Sequence, residues 1–465
     1  MKRSIMALIV LSLIGMPNYL MGAPMDVNLI EEEATLPRKY NLIAYSSSVK
    51  NQKSEGNCWG YVANGILESA LMKKYNILDK DYFNLSESHL DESTARNEYN
   101  GYGFDRSSGE GGSFAMALAY WTRGVLNGPF YEQGDEIILT PYYVKQTATL
   151  QELNKEASSD EKAARIEAIK TLIYENGAVS ASYYNSGYNN SAMDYSCYPY
   201  FCNQELAYHY VGNESPNHGG IIVGWNDDYS KENFNLLNQP SQNGAFLVKN
   251  SWGPDWGNEG YFWISYETNL YDINAIVAVE DRSFYDYLYE YDEHGMVGGL
   301  SFSDKISTNA YMNAYRTRSE TEEYLTAVST YVTHPNNTYK VYVSEDGNEK
   351  HLKEVELKGI EDYIPEKGYT IPYAGYITFE LEDEIRLKGE FLVAIEVTRD
   401  EKIETSNHTI PIEVQAEGYC STVRTAPKEG YIGPNINYFL EGEKYDVGMQ
   451  KASICLKAFT KEKDR

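Results

Sequence analysis

The spacing of apolar residues changes near residue 275, and this change constrains the fold more than any other feature of the sequence. Before it, residues 59–74 and 161–174 have an apolar residue at every third or fourth position, which predicts two helices. After it, short apolar runs alternate with turn residues, and the pattern predicts strands without a helix. A chain of 465 residues exceeds one ordinary core. We therefore expect two domains, residues 37–275 and 276–465.

Short apolar runs predict the strands of both domains. Residues 178–183, 221–225 and 245–248 predict strands of the first domain, while residues 185–216, rich in Tyr, Asn, Ser and Gly, predict a long surface loop. The first domain is therefore expected to be α+β, and the second an all-β sandwich. The runs that predict the second domain are residues 324–332, 339–343, 375–381, 391–397 and 454–459.

The first 22 residues have the composition of a secretory signal peptide. Lys2 and Arg3 precede an apolar stretch that is shorter than a membrane span, and cleavage is expected after Gly22. Residues 23–36 would then form a short, Glu-rich N-terminal or pro segment. An uncleaved N-terminal anchor is the alternative. Because no second hydrophobic segment follows, we expect no stable membrane span in the mature chain, and a secreted or cell-surface location.

The net charge of −28 excludes two classes of partner. Nucleic acids and anionic membranes are themselves negatively charged and would repel such a chain. The charge suits a protein that acts outside the cell.

Exported proteins commonly form disulfide bonds, and the five cysteines of this chain would then leave one thiol unpaired. Pairing of Cys197 with Cys202 and of Cys420 with Cys455 would leave Cys58 free, and we state this pairing as a hypothesis.

Cys58 stands at the start of the first predicted helix, with His218 and Asn250 far downstream. A thiolate is stabilised by a helix N-terminus and by a protonated imidazole, and an amide can fix the orientation of that imidazole. Gln52, six residues before the thiol, can place a side-chain N–H beside the backbone N–H of Cys58. Two such donors form an oxyanion hole. The four residues therefore indicate a cysteine nucleophile with its base, orienting amide and oxyanion donor.

Three blocks of sequence resemble the signatures of papain-like cysteine peptidases. Two supporting blocks resemble the Leu-Ser-Glu segment of that family and its substrate-binding glycine pair, here Gly111 and Gly112. The interval from Cys58 to His218 is 218 − 58 = 160 residues, slightly beyond the usual range, and the loop before His218 can account for the surplus. The signature blocks are Gln52 to Trp59, Asn217-His218-Gly219 and Asn250 to Tyr261, and the supporting ones are Leu85 to Leu90 and Glu110 to Phe114.

The resemblance implies a helical lobe and a β-barrel-like lobe with a cleft between them. It also implies that the ring of Trp252 covers the His218–Asn250 hydrogen bond, and we place Trp252 with Gly111 and Gly112 among the substrate-binding residues. No cofactor is required, and we find no loop with the spacing of a metal site. The expected partner is a protein or peptide substrate.

Two departures qualify the resemblance. Glu55 stands where family members often have a further cysteine, so the usual disulfide of this segment is missing. We also expect the long propeptide of many eukaryotic members to be absent.

The C-terminal domain resembles, more weakly, the lectin-like domain that follows papain-like modules in prokaryotic surface peptidases. The residues that carry this likeness are 287–292, 323–328 and 455–460.

The sequence therefore predicts an exported cysteine endopeptidase whose accessory domain attaches to a surface or to cell-surface glycan. A catalytically retired adhesin or carbohydrate-binding protein on the same scaffold is the first alternative. A cell-wall amidase with Cys-His chemistry is the second, and the Asn250 to Gly253 block disfavours it.

Overall fold

A computed structural model describes most of the chain from residue 36 onward. The described residues are 10–13, 36–97, 101, 103–124, 128–134, 136–154, 156–186, 200–202, 204–302, 306–318, 322–360, 363–364, 367–400 and 408–463. Four helices lie in the N-terminal part: α1 (Cys58–Tyr75), α2 (Glu87–Thr94), α3 (Phe114–Thr122) and α4 (Ser159–Glu175). The first twelve strands are β1 (Val10–Leu13), β2 (Lys39–Asn41), β3 (Phe130–Gln133), β4 (Glu136–Leu139), β5 (Tyr142–Thr149), β6 (Val179–Tyr183), β7 (Phe201–Cys202), β8 (Ala207–Tyr208), β9 (His218–Asn226), β10 (Ala245–Lys249), β11 (Tyr261–Ser265) and β12 (Asn274–Asp281).

Helix α1 is the central helix of the N-terminal part, and nearly all of it is buried. Its apolar residues pack into a core that also contains residues of α3, β5 and β12. The helix ends at Asn76, which adopts a left-handed conformation (φ 54°) and donates its backbone N–H to the Lys73 carbonyl. Helix α4 begins with a capping box between Ser158 and Glu161. Both predicted helices are therefore present, each extending a residue or two further at its ends than expected.

The C-terminal part is a sandwich of two β layers. Its short helix α5 (Ile436–Leu440) packs against one of them. Apolar side chains of both layers, including Val328, Phe379, Val341 and Val393, meet in one core, as the alternating pattern requires. The strands are β13 (Tyr287–Tyr289), β14 (Gly298–Ser301), β15 (Thr308–Arg316), β16 (Glu323–Val332), β17 (Thr338–Ser344), β18 (Lys353–Glu354), β19 (Tyr363–Ile364), β20 (Gly368–Thr370), β21 (Gly375–Arg386), β22 (Glu390–Thr398), β23 (Ile410–Val414), β24 (Gly430–Gly433), β25 (Tyr445–Asp446), β26 (Ala452–Ile454) and β27 (Leu456–Glu462).

One sheet runs through both parts of the molecule. Within the described residues it has thirteen strands, in the order β13-β27-β16-β21-β5-β12-β6-β9-β10-β11-β8-β7, with β2 beside β9. The two parts join where β21 pairs with β5, and the Thr149 N–H donates to the Ala374 carbonyl at 2.7 Å. Strand β12 of the N-terminal part continues to Asp281, so this strand passes the expected domain boundary at residue 275 without a break.

Several sequence-based expectations are corrected. The run 454–459 is two strands, β26 and β27, which break at Cys455 and belong to different sheets. The C-terminal part contains α5, a helix that is too short to give a periodic signal. The segment predicted as a surface loop contains the two-residue strands β7 and β8.

The cysteine hypothesis is wrong for one pair. Cys420 and Cys455 are free, buried thiols. Cys202 is also a free thiol, and its predicted partner Cys197 lies outside the described residues.

Most of the predicted signal segment also lies outside the described residues, and residues 10–13 of it form β1, which pairs with β14. No helix within the described part of the chain has both the length and the apolar character needed to cross a membrane.

A cluster of charged side chains is buried where the two parts meet. Asp292 is 1% exposed, and its carboxylate lies 3.0 Å from the ammonium of Lys457, which also contacts Glu290 at 2.5 Å. Burial raises the pKa of Asp292 to about 7. Lys457 opposes this shift, whereas Glu290 and Glu413 reinforce it. The native chain therefore holds a proton on Asp292 at pH values where the unfolded chain has released it.

This proton predicts a pH dependence of stability. Because the folded pKa is raised, the contribution of Asp292 is complete below pH 3.8 and is lost as the pH rises to about 7. A single proton changes the unfolding free energy by about 1.4 kcal/mol per pH unit. We expect Asp292→Asn, measured by urea unfolding in a Cys58→Ala background, to remove a decline of this size between pH 4 and 7. Equal slopes for the parent and the variant would contradict the assignment.

Candidate active site

The thiol of Cys58 is the first side chain of helix α1 and is partly exposed. The N-cap residue, Asn57, makes no side-chain hydrogen bond to the helix. The first N–H groups of a helix have no partner within the helix, and they carry its positive dipole end. The backbone N–H groups of Trp59 and Gly219 favour the ionised form of the Cys58 thiol and help to lower its pKa. The sulfur therefore lies where negative charge is favoured.

The sheet brings His218 and Asn250 together. His218 begins β9, Asn250 follows the end of β10, and the two strands are antiparallel neighbours. The Nε2 atom of His218 lies 2.9 Å from Oδ1 of Asn250, which also accepts the Ser251 N–H at 2.8 Å. Since the atom that accepts from Ser251 must be an oxygen, the imidazole carries a hydrogen on Nε2. Its Nδ1 is therefore the nitrogen that remains for the thiol.

Cys58 and His218 are close enough that each shifts the pKa of the other. Burial raises the pKa of the Cys58 thiol, but the hydrogen bond and charge of His218 outweigh it, and the pKa is lowered below its ordinary value. Burial lowers the pKa of His218, but Cys58 and Asn250 outweigh it, and the pKa is raised. Both shifts favour a thiolate–imidazolium pair.

Gln52 is buried, and both ends of its side-chain amide are held by hydrogen bonds. Its Oε1 accepts the Ser251 hydroxyl at 2.5 Å, and its Nε2 donates to the Glu55 carbonyl at 2.7 Å. Because an amide nitrogen carries two hydrogens, one N–H of Gln52 remains for another acceptor. Ser251 therefore orients two of the predicted site residues, Gln52 through its hydroxyl and Asn250 through its backbone N–H.

Trp252 lies against His218. The two rings stack with centroids 4.8 Å apart and an angle of 29° between their planes, and Trp256 packs edge-on against Trp252 at 4.9 Å. This placement matches the covering role that the resemblance implies. Its contact is with the His218 imidazole, and substrate binding by Trp252 stays a prediction.

The glycine pair lies beside the indole of Trp59, the residue after the thiol. A Cβ on Gly112 would come within 2.4 Å of that ring, so only glycine fits there. A Cβ on Gly111 would meet nothing within 4 Å, and this residue is exposed. The backbone around Gly111 is therefore open to a ligand next to Cys58.

Charged side chains fill the space between α1 and the end of β10. The ammonium of Lys50 contacts Glu68 at 2.9 Å and Glu87 at 2.7 Å. Glu87 is the glutamate of the Leu-Ser-Glu block and the first residue of α2. Lys249, immediately before Asn250, donates to the Ser47 carbonyl at 2.6 Å. Burial lowers the pKa of Lys249 to about 8. These contacts fix the backbone that carries Asn250.

Arg106 is a residue of this region that the sequence did not single out. Its guanidinium is buried, pairs with Asp91 and donates to the carbonyls of Gly111 at 2.9 Å and Glu110 at 2.8 Å. It also lies over the Trp59 ring, 4.9 Å from the centroid. An arginine inside a loop of serines and glycines was the available signal, because such a side chain can bond several backbone carbonyls at once.

Family models match both parts of the chain. The model of the papain family of cysteine proteases matches residues 36–280, and that of a lectin-like domain matches residues 288–460. Cathepsin L2 of Homo sapiens is 26% identical over 227 residues, 48% of this chain and 59% of the relative. The chain thus spans less than two thirds of the length of this curated relative.

Solved structures resemble the whole chain. The cysteine protease and lectin-like domains of Cwp84, a surface layer associated protein of Clostridium difficile, superpose with a TM-score of 0.73 at 23% identity, covering 96% of this chain and 91% of that one. A substituted form of the clostridial cysteine protease Cwp84, after propeptide cleavage, gives a TM-score of 0.71 at 25% identity, with 91% and 99% covered. The papain-like fold followed by an all-β lectin-like domain is therefore confirmed. Since the papain-family model spans more than half of the chain, this protein belongs to the papain family of cysteine proteases.

Proposed function

We propose that this protein is a cysteine endopeptidase that hydrolyses peptide bonds with Cys58, His218 and Asn250. The observation that carries the proposal is the ordered set of contacts from the Cys58 thiol through the His218 imidazole to Asn250 Oδ1, 2.9 Å from Nε2. A solvated thiol needs neither a buried imidazole nor an amide behind it. A nucleophile activated by a base, with a third group that orients the base, has this arrangement.

The mechanism follows from the positions of the four side chains. The Cys58 thiolate attacks the carbonyl carbon of the scissile bond, and the free N–H of Gln52 with the Cys58 backbone N–H stabilises the oxyanion. His218 then donates its Nδ1 proton to the leaving amine as the C–N bond breaks, which leaves a thioester on Cys58. The neutral imidazole next takes a proton from water, and the hydroxide formed releases the acid and restores the thiolate.

A labelling experiment tests the nucleophile. We expect a peptidyl epoxide to alkylate Cys58 at neutral pH and the chain to release peptides from casein. Cys58→Ala should lose both activities, whereas Cys202→Ser, which removes another partly exposed free thiol, should keep both. A folded chain that is neither labelled nor active would favour the adhesin alternative. Release from peptidoglycan but not from casein would favour the amidase.

We further propose that the chain is exported and acts at a cell surface. Residues 1–22 would be the signal peptide and residues 23–36 a short segment before the peptidase, while residues 37–275 and 276–465 form the peptidase and lectin-like domains. The surface-layer association of Cwp84 and the match to a lectin-like model support this. Retention of the full-length Cys58→Ala chain on insoluble cell-wall glycan, and its release by soluble fragments of the same glycan, tests the attachment.

A further inference from the structure

A loop of the lectin-like part packs against the segment that carries Gly111 and Gly112. We call residues 103–113 the rim segment and residues 416–424 the C-terminal loop. The two belong to different parts of the chain, yet residues of both contribute to one apolar core. The contacts between them link the lectin-like part to the backbone beside Cys58.

Tyr419 makes two of these contacts. Its carbonyl accepts the Asp105 N–H at 2.8 Å, and its ring packs against Phe104 with the centroids 5.1 Å apart. Both partners lie at the start of the rim segment. The other end of the segment is Ser113, the N-cap of α3, which accepts the Met116 N–H. Tyr419 therefore holds the start of the rim segment, and α3 holds its end.

Two neighbouring hydroxyls of the same loop tie down the start of the rim segment. Ser421 donates to the Asp105 carboxylate at 2.9 Å and accepts from the Arg96 guanidinium at 2.8 Å. Arg96 also donates to the Thr422 hydroxyl at 3.0 Å and pairs with Asp105. The C-terminal loop thus completes an ion pair of the peptidase part.

The rim segment in turn contacts the residues before the nucleophile. The carbonyl of Gly109 accepts the Gly56 N–H at 2.8 Å, two residues ahead of Cys58. A Cβ on Gly56 would approach that carbonyl to 2.9 Å, so the two backbones lie in direct contact. A displacement of the rim segment would therefore change the groove beside the thiol.

We propose that Tyr419 and Ser421 are positioning residues for the peptidase, and that the lectin-like part completes its substrate groove. They hold the Gly111 and Gly112 backbone where an extended peptide can pair with it. This inference rests on the proposed function. A peptide needs the rim backbone at a fixed distance from Cys58, whereas a small alkylating reagent needs only the thiolate.

The difference between the two kinds of reagent gives the test. In the full chain, Tyr419→Leu keeps an apolar side chain and removes the ring contact with Phe104, and Ser421→Ala removes the bonds to Asp105 and Arg96. One lost hydrogen bond corresponds to a fall of about three- to tenfold in kcat/KM for peptide substrates, which we expect mainly as a higher KM. The rate of Cys58 alkylation by iodoacetamide should stay within about twofold, and the melting temperature within a few degrees.

Tyr291→Phe is the matched control, because that hydroxyl donates to the Ala314 carbonyl within the sandwich and should leave KM unchanged. If neither variant changes KM, or if iodoacetamide alkylation slows in parallel with peptide cleavage, the positioning role is wrong. A parent chain that neither alkylates nor cleaves overturns the proposed function, and this inference with it. An active parent whose variants match Tyr291→Phe overturns this inference alone.

Discussion

His218→Ala is expected to lower kcat/KM for peptide substrates by at least about 10³-fold, because one substitution removes both the general acid and the partner of the thiolate. It should also change the thiol itself. Burial is the largest influence on Cys58 and raises its pKa, and the His218 imidazole is what reverses that shift. Without the imidazole, the pKa of Cys58 should lie above the ordinary value for a cysteine. The pH profile of iodoacetamide alkylation measures this change directly.

His209→Ala supplies the control. This histidine is also buried, its Nδ1 lies 3.4 Å from the Thr268 hydroxyl and its ring packs against Phe234. Cys58 is not among the partners that the described residues give it. The variant should keep kcat/KM within about threefold and leave the alkylation profile unchanged, as expected for loss of one weak neutral hydrogen bond. If His218→Ala retained a tenth of the parent activity, or if its alkylation profile did not move to higher pH, His218 would not be the partner of the thiolate.

Asp91→Asn is expected to have the largest effect on stability of any substitution near the site. Asp91 and Arg106 form an ion pair with both side chains almost fully buried, and the second oxygen of Asp91 accepts the Ser108 hydroxyl and the Gly109 N–H, each at 2.6 Å. Removing one partner leaves a buried guanidinium without its counter-charge, which costs about 3–5 kcal/mol. Urea unfolding of the Cys58→Ala chain, with and without Asp91→Asn, measures the loss while preventing self-digestion.

Asp228→Asn is the control for that measurement. Its carboxylate pairs with Arg38, but both side chains are largely exposed. Exposed pairs contribute little because water screens both charges, so no measurable change in the unfolding free energy is expected. Should Asp91→Asn prove as stable as Asp228→Asn, the rim segment would not depend on its buried ion pair.

The catalytic candidates could be predicted from the sequence because each lies in a short local pattern. Cys58 is at a helix start, and the blocks around His218 and Asn250 have distinctive neighbours. The strand pattern also predicted β16, β17 and β22 to within about one residue at each end. Local periodicity records which face of a segment is buried, and that was sufficient for these elements.

The pairing of strands that are far apart in the chain could not be predicted from the sequence. Nothing in the local pattern shows that β21 adds to the edge of β5, since any edge strand can accept any neighbour. The role of Tyr419 could not be predicted for the same reason, because its partners Phe104 and Asp105 lie far away in the sequence, in the other part of the chain. The cysteine arithmetic failed because it assumed that an exported chain pairs its thiols, whereas burial alone accounts for Cys420 and Cys455.

The strand that joins the two parts sets a limit on how this protein can be divided. Strand β5 lies between β12 and β21, which pairs with it at Gln146, and Thr149 at the end of β5 bridges to Ala374. A peptidase produced without the C-terminal part would leave the backbone groups at these positions unpaired. Such an open edge is a template for pairing with other chains. Shortening the gene at the boundary between the two family matches would therefore yield an enzyme prone to aggregate, which favours inheritance of the two parts as one unit.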